Sequence, residues 1–304
     1  MQGSKLKDYL HLHLIVFIWG FTAILGTLIS IDAIPLVWYR MFLASVFIAV
    51  YFLIQNKSFR IDRKSLFKFI FTGILIALHW ITFFHAIKVS NVSVALVTMS
   101  IGAFFTSLIE PILFRRQVRL VEIVLGAIVV VGLSIIFTFE SQYTWGIIYA
   151  LISAFLSAIF SVFNGLFVKK NDAEVISLCQ LFFGAVFITV YLFAMGEINL
   201  DLFLLSRSDW LYLLILSSVC TAYAFIALVK DMRSITPYTV MLTINLEPIY
   251  AIIFALIIFW EKEKMNTEFY IGACIVLFVV LLNGVLKNIK KFAKKSKNIL
   301  GQKK

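Results

Sequence analysis

The residue of this chain best placed to do chemistry is Glu247, a carboxylate about halfway along an apolar run at 237–260. At that depth an acidic side chain costs about 2.5 to 3.5 kcal/mol on insertion scales, so it must face protein or water and hold a partner or a proton. Asn245 lies two residues before it. Pro248, next in the chain, lacks the N–H that would bond Ile244, which marks a hinge. Two roles are open for Glu247: a proton or substrate site at that hinge, or a buried carboxylate that joins two helices. Arg40 lies five residues into another apolar run, about 8 Å from its end at 1.5 Å per residue. It could snorkel outward or offer its fork to a carboxylate in a cavity. A third run carries His79, Trp80, Thr82 and His85, with positions 79, 82 and 86 on one helical face. His79 could bind substrate or relay protons, or be a satisfied core histidine. Thr221 and Tyr223 occupy the corresponding region of the second half. Trp19, Trp38, Tyr39, Trp80 and Tyr223 could hold apolar or cationic groups, or serve as packing and interfacial anchors. Ser153, Ser157, Ser161 and Gly165 recur every four residues, a stripe of small side chains for close helix packing, with Asn164 beside it.

These residues must be positioned by membrane helices. The 304 residues are 62% hydrophobic and 14% charged, with a mean hydropathy of +1.00. Soluble domains carry roughly 45–50% apolar and about 25% charged residues, so this much apolar surface cannot be hidden in one water-soluble core. Ten runs reach the roughly 20 residues needed to cross a bilayer: 10–31, 35–54, 66–87, 92–114, 120–139, 144–168, 175–195, 210–229, 237–260 and 269–286. The expected fold is therefore an all-α integral membrane protein of ten transmembrane helices. The first run is too long for a signal-peptide core and has no small-residue cleavage site after it, so it reads as an uncleaved span. Cys179, Cys220 and Cys274 fall inside apolar runs and are expected to be buried small hydrophobes.

The net charge of +11 comes from short cationic clusters between the runs, without the basic face of a nucleic-acid binder. Lys and Arg are retained on the cytoplasmic side of a membrane, and here they recur at every even-numbered turn: Lys57, Arg60, Arg63 and Lys64; Arg115, Arg116 and Arg119; Lys169 and Lys170; Lys230 and Arg233. Both termini are thus expected in the cytoplasm. The basic tail at 287–304, with Leu286, Ile289 and Phe292 at helical spacing, either lies on the anionic inner leaflet or is a solvated tail that only sets topology.

The second half repeats the first. At offsets of 140 to 145 residues Arg40 falls on Gln180, Ser90 on Ser234 and Thr98 on Thr243. Glu110 and Pro111 mimic Glu247 and Pro248, but pairing them needs an offset of 137 and breaks the Thr98 register. Gly102 and Ala103 hold the Glu-Pro position instead. Glu110 lies near the cytoplasmic interface, where a carboxylate can reach water. Five helices per half, at 1–140 and 144–286, force the second copy to enter the membrane from the opposite side. Inverted repeats place a binding site near the midplane where the halves meet.

IWGFTAILG at 18–26, WYRMFLAS at 38–45 and INLEPIYAIIFALIIFWEKE at 244–263 resemble the drug/metabolite transporter superfamily, specifically its EamA-type members. That resemblance covers nearly the whole chain. It implies two five-helix repeats and the proton-coupled, exchange-coupled or facilitated movement of metabolites, often amino acids and often outward.

No GxxxxGK[ST] loop, HExxH or paired-cysteine metal spacing, or GxSxG turn is present. No cofactor or metal is expected, and uphill transport would draw on a gradient. The leading reading is a secondary carrier of a bacterial-type inner membrane, not an enzyme, that moves a small metabolite by alternating access. Its partners are a small-molecule substrate and the lipid bilayer, with a homodimer left open. A lipid-acting membrane enzyme using His79, His85 and Glu247 is the alternative from another class. A non-transporting scaffold would instead show a packed, dry interface between the halves.

Overall fold

The computed structural model describes residues 2–56, 59, 61–115, 117, 120–279 and 282. The basic tail at 287–304 lies outside them. Every regular element among the described residues is helical. In chain order they are α1 (Gln2–Leu28), α2 (Ala33–Ile54), α3 (Arg63–Val89), α4 (Val92–Met99), α5 (Gly102–Phe114), α6 (Leu120–Phe139), α7 (Thr144–Phe167), α8 (Ala173–Ala194), α9 (Arg207–Ser217), α10 (Ala224–Asp231), α11 (Pro237–Ile244) and α12 (Glu247–Glu263). A further helix, α13, covers Thr267–Val279. Eight stretches of the described residues are long and apolar enough to cross a membrane, and Ile123–Phe139 and Thr267–Val279 are shorter apolar helices.

Starts are set locally. Asp62 accepts the Ser65 N–H at 2.9 Å and the Ser65 hydroxyl at 2.6 Å at the head of α3. That hydroxyl bond, then the N–H bond, holds the Asp62 carboxyl below its ordinary range. Asn91 caps α4 through the Val94 N–H at 2.8 Å, and Thr236 caps α11 ahead of Pro237 in its first turn.

Two of the apolar runs are broken helices. Residues 92–114 form α4 and α5, and 237–261 form α11 and α12. Both breaks have the same hydrogen bonding: Ile101 N–H to the Thr98 carbonyl and Phe104 N–H to the Ile101 carbonyl in one, Leu246 N–H to the Thr243 carbonyl and Ile249 N–H to the Leu246 carbonyl in the other. Each pair of positions is 145 apart, the register that sets Gly102 and Ala103 against Glu247 and Pro248. Pro248 therefore does not kink a continuous helix. It sits in the first turn of a new one, where its missing N–H costs nothing.

The broken helices pack against each other across the halves, α4 on α12 and α5 on α11, and each pairing is closed by a carboxylate. Glu263 accepts the Val92 and Ser93 N–H groups at 2.9 Å and the Ser93 hydroxyl at 2.7 Å, capping α4 from the end of α12. Glu110 accepts the Tyr238 N–H at 2.9 Å, capping α11 from α5. The expectation that Glu110 reaches water is thus corrected: it is buried, because the first turn of α11 offers it an otherwise unpaired donor. Cys274 is also corrected. Cys179 and Cys220 are buried, whereas Cys274 is exposed on α13.

Elsewhere the helices approach through glycine. A Cβ on Gly73 of α3 would lie 2.5 Å from the Gln180 carbonyl oxygen of α8, and one on Gly272 of α13 would lie 2.8 Å from the Gly132 carbonyl oxygen of α6. Gly73→Ala is expected to cost about 1–3 kcal/mol because backbone must give way. A thermal-unfolding midpoint in detergent equal to the wild type would refute this close approach of α3 and α8.

Candidate functional site

The breaks at 100–101 and 245–246 face one cavity, which α1, α2, α3, α7 and α10 complete. Its volume is about 70 Å³, counted as the space open to the centre of a water molecule. A single water needs only about 10–15 Å³ on that measure, so a compact solute fits and a folded chain does not.

Arg40, on α2, is 2% exposed and reaches this cavity rather than the end of the bundle. Its Nε donates to the Thr221 hydroxyl at 2.7 Å, and its guanidinium carbon lies 3.8 Å from the centre of the Trp80 ring. One edge of the fork is thereby tied and one face stacked, while Nη1 is buried without a hydrogen-bond partner. A buried guanidinium with an unmet donor is expensive, so an anion entering the cavity would find a donor ready for it.

Glu247 begins α12 and also lines the cavity. No hydrogen bond or ion pair within 4.0 Å engages its carboxylate among the described residues, Arg40 included. Asn245 Nδ2, another lining group, is buried and unpaired, and the lining Thr22 hydroxyl is buried beside the Cys220 thiol. The cavity thus presents an arginine Nη1, a carboxylate and an asparagine amide that no protein hydrogen bond engages, with the arginine and the carboxylate close enough to attract each other.

His79 is held from α7. Its Nδ1 lies 2.8 Å from the Ser153 hydroxyl oxygen and 3.0 Å from the Ser153 carbonyl oxygen, and the hydroxyl donates to the His79 carbonyl at 2.9 Å. With the hydroxyl hydrogen committed, the ring proton belongs on Nδ1, and Nε2 is left as an acceptor with no protein partner. His79 is therefore both a satisfied core residue at one nitrogen and a cavity-lining residue.

The remaining candidates separate by contact. Trp19, Trp80, Pro248, Ser157 and Ser161 line the cavity. Trp19 is anchored by its Nε1 donating to the Cys220 carbonyl at 3.0 Å. Ser153 and Gly165 serve packing: Ser153 grips His79, and a Cβ on Gly165 would strike Pro237. Thr82 and Tyr223 are not among the lining residues. The Thr82 hydroxyl is spent on the Leu78 and His79 carbonyls. Tyr223 is 46% exposed, its hydroxyl 3.0 Å from Nε2 of His11, whose Nδ1 is 3.1 Å from Asp231. His85 stacks edge-on against Tyr149, away from the cavity. Sequence reasoning missed Thr22, Ser100 and the His11–Asp231 pair. Ser100 had a signal, since it stands 145 residues before Asn245 at the matching break.

The sequence model of the EamA-like transporter family matches residues 7–138 and again 144–285. The chain belongs to the EamA-like transporter family. Two copies of that unit, joined by a short connection and built of apolar helices, make it an integral membrane transporter protein. None of the curated proteins matches it. A solved structure titled only "Crystal structure of protein" is 14% identical over 92% of this chain and 97% of its own, with a TM-score of 0.67, a likeness of fold. Among the described residues no three His, Cys, Asp or Glu side chains gather as metal ligands.

Proposed function

We propose that this EamA-like protein is a secondary carrier that moves a small zwitterionic metabolite, an amino acid in the simplest case, through the cavity by alternating access. One observation carries the reading: Arg40 Nη1 and the Glu247 carboxylate share a solute-sized cavity, close enough to attract each other, and neither is engaged by a protein hydrogen bond. A carboxylate answers the first and an ammonium the second, while Trp19, Trp80, Phe83, Phe160 and Phe225 receive an apolar side chain.

The reading includes ten membrane crossings, with α6 and α13 as the fifth of each half, two inverted halves, both termini in the cytoplasm and a bacterial-type inner membrane. What supports it is the matching break in each half, the two family matches and the cation distribution between spans. Discontinuous helices at equivalent positions of inverted repeats are where carriers bind substrate. Ties across the halves occur toward both ends: His11 to Asp231 and Glu110 to Tyr238 in one group, Glu263 to Ser93 and Asp209 to Ser30 in the other. Alternating exposure requires one group to release while the other holds. A lipid-acting enzyme would need His79, His85 and Glu247 together, and His85 does not line the cavity.

Counterflow in proteoliposomes tests the proposal. Vesicles preloaded with a pool of the proteinogenic amino acids should accumulate labelled members of that pool in a saturable way. Protein that remains folded yet exchanges none of them would overturn the substrate class.

A further inference from the structure

The stretch between α9 and α10, Ser218–Tyr223, is a turn of π-helix, a wider winding that often marks functional positions. Within it three positions take a side chain from the first half: the Cys220 carbonyl accepts Trp19 Nε1, the Thr221 hydroxyl accepts Arg40 Nε, and the Tyr223 hydroxyl meets His11 Nε2. Two of those partners, Trp19 and Arg40, line the cavity.

Thr221 is bonded unlike the other helical threonines. Thr27, Thr82, Thr106, Thr189 and Thr243 each donate to a carbonyl four residues back. Thr221 donates to the Leu216 carbonyl, five residues back, at 2.7 Å. The wide turn thus fixes where the hydroxyl hydrogen points. With that hydrogen committed, the oxygen can only accept, and Arg40 Nε is the donor it receives. Thr221 is itself fully buried, so water does not compete for the contact.

A guanidinium tied at Nε and stacked on Trp80 has little rotational freedom left. Which edge of the fork meets the cavity follows from those two contacts, and planar recognition of a carboxylate depends on that edge. The counterpart of Arg40 in the second half, Gln180, makes a similar join, its Nε2 donating to the Thr72 hydroxyl at 2.7 Å. There the threonine back-bonds four residues, to Lys68, and Gln180 does not line the cavity. The π-turn is therefore found at the join that brings an arginine of the first half into substrate space.

We propose that Thr221, held by the π-turn, is a positioning residue that aims the Arg40 fork and so sets the carrier's preference for a carboxylate over an uncharged group in its place. This rests on the reading of Arg40 as the substrate's carboxylate partner.

The test compares exchange of a pool of amino acids with exchange of the pool of their amides, which keep the amine and lose the carboxylate, detected by mass spectrometry. Three proteins are reconstituted: wild type, Thr221→Val and Thr221→Ser. Wild type should prefer the acids. Thr221→Val, close in shape but unable to accept from Nε, should lower the acid-to-amide ratio by about tenfold, one charge-assisted contact's worth. Thr221→Ser should restore it. A valine variant of wild-type thermal stability with an unchanged ratio would overturn the proposal alone. So would a serine variant as impaired as the valine one. Exchange of neither pool by wild type would instead remove the zwitterion reading and this proposal with it.

Discussion

Arg40→Met should lower amino-acid counterflow by about ten- to a hundredfold while leaving the protein folded. A hydrogen bond to a charged group contributes about 1.5–3 kcal/mol, and each 1.4 kcal/mol is a factor of ten. Stability is spared for a separate reason. The guanidinium is buried with an unpaired Nη1, so its removal relieves the cost of keeping that donor out of water. Methionine fills the space over Trp80 and releases Thr221, whose hydroxyl still has Leu216. Arg40→Lys should not restore transport, because an ammonium has no Nε to tie and no plane to stack. Concentration series in proteoliposomes, run beside thermal unfolding, check both halves of the statement. Full activity in the methionine variant would remove Arg40 from the site.

Glu247→Gln should have an effect of similar size and a different signature. The amide keeps the shape of the carboxylate and loses its charge, so a substrate ammonium meets a neutral acceptor and exchange falls by about tenfold or more. If the carboxylate also carries the coupling proton, pH dependence present in the wild type should flatten in the variant, since glutamine does not titrate. Rates measured across the range in which carboxylates ionise separate the two roles. A lowered rate with wild-type pH dependence leaves a binding role alone, and an unchanged rate and profile would make Glu247 structural. Its carboxylate has no hydrogen bond among the described residues, so a structural role would rest on its electrostatic attraction to Arg40 of α2 alone.

His79 illustrates how two readings of one residue can both hold. From sequence it was either a substrate contact or a satisfied core histidine. The bond to Ser153 satisfies Nδ1 while Nε2 has no protein partner, a division of one ring that no spacing rule predicts. The serine stripe divides as well: Ser153 and Gly165 pack while Ser157 and Ser161 line the cavity, because a stripe four residues apart drifts around the helix and crosses from interface to opening.

Taken by itself, the sequence determined what hydropathy and periodicity can determine. Runs of apolar residues too long for a soluble core require membrane helices, and their spacing, the cations between them and the offset of 140 to 145 reveal two related halves. These follow from local composition, which needs no knowledge of neighbours. The depth of Glu247 was legible for the same reason. Only the tertiary structure decided which polar side chains have partners. Glu110 and Glu263 are carboxylates toward the ends of helices, and each is consumed by capping a helix from the other half. Arg40 Nη1 and the Glu247 carboxylate are left without a hydrogen bond. That difference arises between elements about a hundred residues or more apart in the chain, so it belongs to how the halves pack. The π-turn is likewise invisible in SVCTAY, because one residue's worth of extra winding leaves no compositional trace until Arg40, Trp19 and His11 arrive from the first half to hold it.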